Sequence, residues 1–208
     1  MRHWMEKSDQ NTIERARRIF RNRGGILKTG EALSAGIHPR TLYEMHRTGI
    51  LEKLARGLYR LADLPPLGNP DLVSVSLKVP SGVICLISAL SYHEITTQIP
   101  HEIYVALERG TEPPRLGHPP LRIFWFSGQA FNLGIQNDKI DGVSVRIYNP
   151  EKTIADCFKY RNKIGLDTAI EALKLYRGKK RFNADELMRF ARACRVEKII
   201  RPYLAALM

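Results

Sequence analysis

The pairing of Pro39 with Gly49 constrains this chain more than any other local feature. Proline suits the first position of a helix, where its missing N–H would have no partner anyway. Glycine just past the last turn accepts the left-handed backbone that closes a helix. The two residues therefore delimit a helix from Pro39 to about Thr48, entered through a tight turn at Gly36-Ile37. Thr29 is placed to cap a shorter helix running to Ala35. Helix, short turn and helix in succession is the helix-turn-helix pattern.

The flanks sharpen that pattern. Upstream, Asn11 followed by Glu14 reads as a capping-box start. Ile13, Ala16, Ile19 and Phe20 then recur on one helical face, with Arg15, Arg17, Arg18 and Arg21 on or beside the solvent side. Arg23-Gly24-Gly25 ends that helix, and Ile26-Leu27 suffices for a very short strand. Downstream, 50–54 and 58–61 read as two strands joined by the tip Ala55-Arg56-Gly57. A helix-turn-helix followed directly by a small hairpin is the winged-helix arrangement, which serves either DNA or protein partners.

On the Pro39 helix, Leu42 and Met45 are the apolar positions that face a core. Arg40, Thr41, Tyr43, Glu44 and Arg47 remain to face outward. Arginine makes bidentate bonds to guanine in the major groove, or bonds phosphates. A hairpin tip can lay Arg56 along the backbone or minor groove, with Gly57 allowing the turn. The expected DNA-contacting set is Lys28, Arg40, Thr41, Tyr43, Arg47 and Arg56.

Charge supports an anionic partner. With 33 Lys and Arg against 21 Asp and Glu, the chain carries a formal +12. Residues 1–64 carry +6, residues 65–145 carry −2, and residues 146–208 carry +8, so the excess sits at the two ends. The later excess includes Arg177-Gly178-Lys179-Lys180-Arg181. Lys179, Lys180 and Arg181 there are either a second basic surface or a solvated turn.

The stretch Leu64-Pro65-Pro66-Leu67-Gly68-Asn69-Pro70 reads as a linker or tight loop. It divides the 208 residues into a winged-helix DNA-binding domain at 1–64 and a second domain at 65–208. In the second, 71–78 reads as a short amphipathic helix and the apolar run Val83–Ile87 as a buried strand. Helix is expected over 88–95, and strands over 103–107, 121–126 and 143–148, while 129–141 fits no single element. Asn149-Pro150 opens a helix to about Arg161. Leu166, Ile170 and Leu173 share a helical face. Asn183 with Glu186 opens another helix, with Leu187, Phe190, Ala191 and Cys194 inward. A last helical pattern runs over 196–207, which Pro202 should kink or restart. The fold class expected is α+β: an N-terminal winged helix-turn-helix, then a mixed α/β domain with a helical end.

Composition, 44% hydrophobic and 26% charged, is that of a globular protein. No apolar run approaches the roughly 18 residues of a membrane span, and Met1–Lys7 lacks the apolar stretch of a secretory signal. Three widely spaced cysteines, Cys85, Cys157 and Cys194, fit a reducing, cytoplasmic setting. His93-Glu94 and His101-Glu102 do not make zinc-protease spacing, and no phosphate-cradling glycine loop occurs. Glu151, Lys152 and Asp156 are too few for a metal-dependent nuclease. No catalytic residue, metal or cofactor is expected, and the reading is a non-enzymatic regulator. A regulator whose central domain senses a small molecule, and a nucleic-acid-processing enzyme, are the alternatives.

Several segments together resemble one family. Residues 25–29, 36–43, 49–51 and 56–61 look like the N-terminal winged helix of AbiEi-type antitoxins. Ser88–Thr96 and Asn149–Asp156 resemble segments of that family's C-terminal domain. The resemblance implies a bacterial antitoxin of a type IV toxin–antitoxin, or abortive-infection, system. Such a protein represses its own promoter, commonly at inverted repeats in double-stranded DNA. Its C-terminal domain supports antitoxin activity and contributes to DNA binding. The linked toxin in that family is a nucleotidyltransferase.

Overall fold

Residues Arg2–Asn22 form one continuous helix, α1, because nothing between them breaks it. The computed structural model describes residues 2–207, and side chains from residue 10 to 207. The segment holds neither glycine nor proline, and extending a helix is far easier than nucleating a new one at Asn11. Asn11 is therefore an exposed mid-helix residue, not the expected cap. The inner face of α1 is as expected, with Ala16 and Phe20 buried and Ile13 and Ile19 packed beside them.

The chain divides into two compact units, Met1–Pro70 and Asp71–Met208. In the first, α1 is followed by β1 (Ile26–Lys28), α2 (Thr29–Ser34), α3 (Pro39–Arg47), β2 (Leu51–Ala55) and β3 (Leu58–Leu61). Gly24 and Gly25 both take φ of +82°, which lets the chain leave α1. Lys28, not Thr29, is the cap residue of α2. Its N–H donates to the Glu31 carboxylate at 2.7 Å, while the Thr29 N–H is taken by the Gly57 carbonyl at 3.0 Å. Pro39 opens α3 as expected, and the His38 Nδ1 accepts from the Arg40 N–H at 3.2 Å.

The strands form an antiparallel sheet in the order β1-β3-β2. A register shift between Lys53 and Ala55 carries β2 one residue past its expected end. The hairpin tip is thereby reduced to Arg56-Gly57. Leu27, Ala32, Ile37, Leu42, Met45, Leu51 and Leu61 are buried with Ala16 and Phe20 between helices and sheet. Each large apolar side chain so buried contributes roughly 1.5–3 kcal/mol before entropy is counted.

The second unit mixes strands and helices. Its elements are α4 (Pro70–Lys78), β4 (Val83–Ile84), α5 (Leu86–Tyr92), β5 (Ile103–Glu108), β6 (Leu121–Phe126), α6 (Gln129–Asn132), β7 (Ile135–Ile140) and β8 (Val143–Tyr148). They are followed by α7 (Pro150–Lys159), α8 (Arg161–Ile164), α9 (Leu166–Arg177), α10 (Ala184–Ala193) and α11 (Glu197–Ala205). The sheet order is β6-β5-β4-β8-β7, with β5–β6 and β4–β8 parallel and the other two pairs antiparallel.

Helix α7 is the centre of this unit, with every residue from Lys152 to Phe158 buried. Asn149 caps it, accepting from the Lys152 N–H at 2.8 Å, with Pro150 at the first turn. Asn183 caps α10 in the same way, and Leu187, Phe190, Ala191 and Cys194 face inward as expected. One expectation fails outright. The run Val83–Ile87 is not one strand: Leu86, at φ +45°, turns the chain into α5, and burial on both sides makes the two states look alike in sequence. Leu166, Ile170 and Leu173 share one face of α9 as expected, with Leu173 buried and Leu166, at the start of the helix, more than a third exposed. Pro202 does not restart the helix, since it lies within α11, with Ile200 and Leu204 buried on either side of it.

Candidate nucleic-acid interface

Helix α3 turns Leu42 and Met45 into the core, so its opposite face is set by the 3.6-residue period. Arg40 and Arg47 stand seven residues apart, nearly in line along that outer face, and both are exposed. Tyr43, 60% exposed, and Glu44 flank the line on either side. Thr41 is half-buried, turned toward α1. At the far end of α3, the ring of His46 meets Tyr59 edge-on at 5.6 Å and its Nδ1 lies 3.2 Å from the Leu51 carbonyl. The helix is therefore fixed to β2 and β3 from beneath.

The structure gives Arg47 a partner that sequence reasoning did not assign. Its Nε donates to Glu44 Oε2 at 3.0 Å and its Nη2 to Glu44 Oε1 at 2.6 Å. This fork holds the Glu44 carboxyl below its usual range and the Arg47 guanidinium above its own. Among the described residues Arg40 forms no ion pair, though its charge also acts on Glu44, whereas Arg47 shares its donors with Glu44.

Lys28 and Arg56 come to one end of the sheet. Lys28 is half-buried and paired in register with Leu58, and the Gly57 carbonyl holds the Thr29 N–H. Gly57 takes φ +69°, which suits the tip to glycine. Arg56 beside it is exposed. Arg60 is different: it is buried, bonded to Glu52 and to the Pro65 carbonyl, and serves the fold.

A further set was missed. Asn11, Thr12, Arg15 and Arg18 of α1 line a concavity of about 360 Å³ together with His38 and Thr41. Thr12 and Ile13 line a second, of about 370 Å³, with Arg40, Thr41, Glu44 and Arg47. The polar face of α1 thus continues the outer face of α3. Its signal was present in the helical spacing of Thr12, Arg15 and Arg18, within the expected helix, but sequence alone did not bring that face beside His38 and Thr41.

Residues 14–62 match the model of one family, "Transcriptional regulator, AbiEi antitoxin". The likeness is confined to these 49 residues, within the first unit. The AbiEi match covers the later part of α1, from Glu14 on, together with α2, α3 and all three strands of the first unit. It supports antitoxin and transcription-regulation roles in a toxin–antitoxin system. No curated protein sequence matches the chain. Among solved structures, the Rv2827c protein from Mycobacterium tuberculosis superposes with a TM-score of 0.54. It is 12% identical, over 91% of this chain and 79% of that one, a likeness of fold alone.

In the second unit, Lys179 lies 3.3 Å from the Glu94 carboxylate, while Lys180 and Arg181 are exposed. Glu151 accepts from the Tyr176 hydroxyl, and Lys152 is paired with Asp156 inside the core. His93 caps α5, and its Nε2 lies 2.7 Å from the Tyr148 carbonyl. Burial holds its imidazole below the usual range. Among the described residues no group of three or more His, Cys, Asp or Glu is placed to hold a metal ion. No helix among them is long and apolar enough to cross a membrane.

Proposed function

We propose that residues 1–64 are a winged helix that reads double-stranded DNA, and that the chain is the autoregulating antitoxin of a type IV system. In this reading α3 enters the major groove, with Arg40, Thr41, Tyr43 and Arg47 toward base edges. Lys28 and Arg56 contact the backbone from the hairpin side. The site is the protein's own promoter, with inverted repeats, and the functional counterpart is a nucleotidyltransferase toxin. Residues 65–208 supply the antitoxin role, with Lys179, Lys180 and Arg181 as a secondary basic surface. The protein acts in the cytoplasm and is not an enzyme.

The observation that carries the reading is the aligned, exposed Arg40 and Arg47 on a helix anchored from below, beside an Arg-Gly hairpin tip. The AbiEi match over the same residues agrees with it. The test is gel-shift affinity for the promoter. Arg40→Ala should weaken specific binding by about 1–3 kcal/mol, the value of one bidentate base contact, with folding unchanged. Unaltered affinity in an Arg40→Ala/Arg47→Ala double variant would remove α3 as the reader.

A further inference from the structure

A separate concave surface lies within the second unit, where the chain leaves β6. Ser127 and Gln129 bound one side, Lys159 and Arg161 a second, and Cys194 and Arg195 a third, around about 660 Å³. That volume is the size of a small-molecule site and far too small for a duplex. β5 and β6 run parallel here, and the Arg109 N–H bonds the Phe126 carbonyl at 2.7 Å, so the cavity opens at their carboxyl ends. Open sheets with parallel strands collect ligands at that end.

Its chemistry is one-sided. No Asp or Glu lines it, and none of its three cations has a carboxylate partner among the described residues. The nearest buried carboxylate, Asp156, receives the Cys194 thiol at 3.4 Å and is already neutralised by Lys152. Arg161 donates one N–H to the Phe158 carbonyl at 2.9 Å, leaving its other donors for a ligand.

Arg195 adds an independent sign. It closes α10 at φ +61°, its own N–H bonding the Arg192 carbonyl at 3.0 Å and the Val196 N–H bonding Ala191 at 2.8 Å. Glycine is the residue this backbone favours. Arginine is strained there, and strain of this kind collects at functional sites.

We propose that this cavity binds a small phosphate-bearing ligand of mononucleotide size. The inference concerns the second unit alone and stands whether or not the first unit reads DNA. The test is calorimetric titration of the full chain with ATP at near-physiological salt, repeated with Lys159→Gln, Arg195→Gly and the double variant. Saturable binding is expected, weakened about tenfold for each charge-assisted contact removed. Arg195→Gly should keep or raise Tm, because glycine takes positive φ without strain, so its loss of binding is not a loss of folding. No saturable binding at millimolar ATP overturns the proposal, as does equal binding by the parent and the double variant. Weakened promoter affinity in the double variant, with no ATP binding in the parent, would assign these cations to the DNA backbone instead.

Discussion

Lys152 and Asp156 are one turn apart on α7, both are buried completely, and neither is tolerable alone. The Lys152 Nζ bonds Asp156 and lies 4.2 Å and 4.9 Å from the ring centres of Tyr148 and Phe126. Burial pushes the Asp156 carboxyl up, and the Lys152 charge pulls it back. Asp156→Leu would strand a buried ammonium, and denaturant titration should show a loss of about 3–5 kcal/mol. The double variant Lys152→Met/Asp156→Leu should be the more stable of the two, because apolar pairs replace buried ion pairs at little cost. Equal stability of the single variant and the parent would mean the pair is not buried. Glu44 is the opposite case, a surface carboxylate whose effect falls on binding. Glu44→Gln removes a negative charge from the proposed DNA face and releases Arg47. Binding to unrelated DNA should tighten, and its salt dependence should steepen by about 0.9 per phosphate newly neutralised. An unchanged slope would leave Arg47 outside the interface.

At the scale of elements, the hairpin is the sharper test of how the first unit meets DNA. Arg56 projects from a two-residue tip that the Gly57–Thr29 bond ties to the start of α2. Arg56→Ala should weaken binding similarly on all sequences and flatten the salt slope by about 0.9, as expected for one phosphate contact. Loss confined to the promoter sequence would place Arg56 on bases instead. Elements of this unit were legible because their signals are local: Pro39 and Gly49 bound α3, and Arg56-Gly57 bounds the hairpin. What failed was set by tertiary partners. The start of α1 was misplaced because Asn11 resembles a cap yet lies within an unbroken helix. Thr29 lost its capping role to Lys28 because the hairpin claims its amide. In the second unit, Val83–Ile87 is apolar throughout, so no period separates strand from helix. Of the candidate site, the outward residues of α3 followed from Leu42 and Met45. The Glu44–Arg47 fork did not, since a surface pair three residues apart has many rotamers.

At the scale of the whole molecule, the charge excess at the two ends does not translate into equal numbers of available cations. In the later block Lys179 faces Glu94, Arg189 faces Glu186, and Glu197 engages Arg201 and Arg192. Glu186 and Glu197 are already counted in the net +8, and only Lys179 draws on an anion outside the block, but each such surface pair, worth little to stability, reduces what a partner can reach. Lys180 and Arg181 stay exposed on the turn between α9 and α10, and the Arg181 carbonyl, not its side chain, accepts from Tyr176. Reversing them is therefore a cleaner test than reversing all three basic residues, because Glu94 keeps its lysine. Lys180→Glu/Arg181→Glu should leave Tm unchanged. If the loop meets DNA, promoter affinity falls while toxin neutralisation persists. If it serves the antitoxin role, growth rescue in the presence of the toxin is lost while the gel shift is retained. Survival of both activities would show that the turn is only solvated, and that the working charge of the second unit lies elsewhere on its surface.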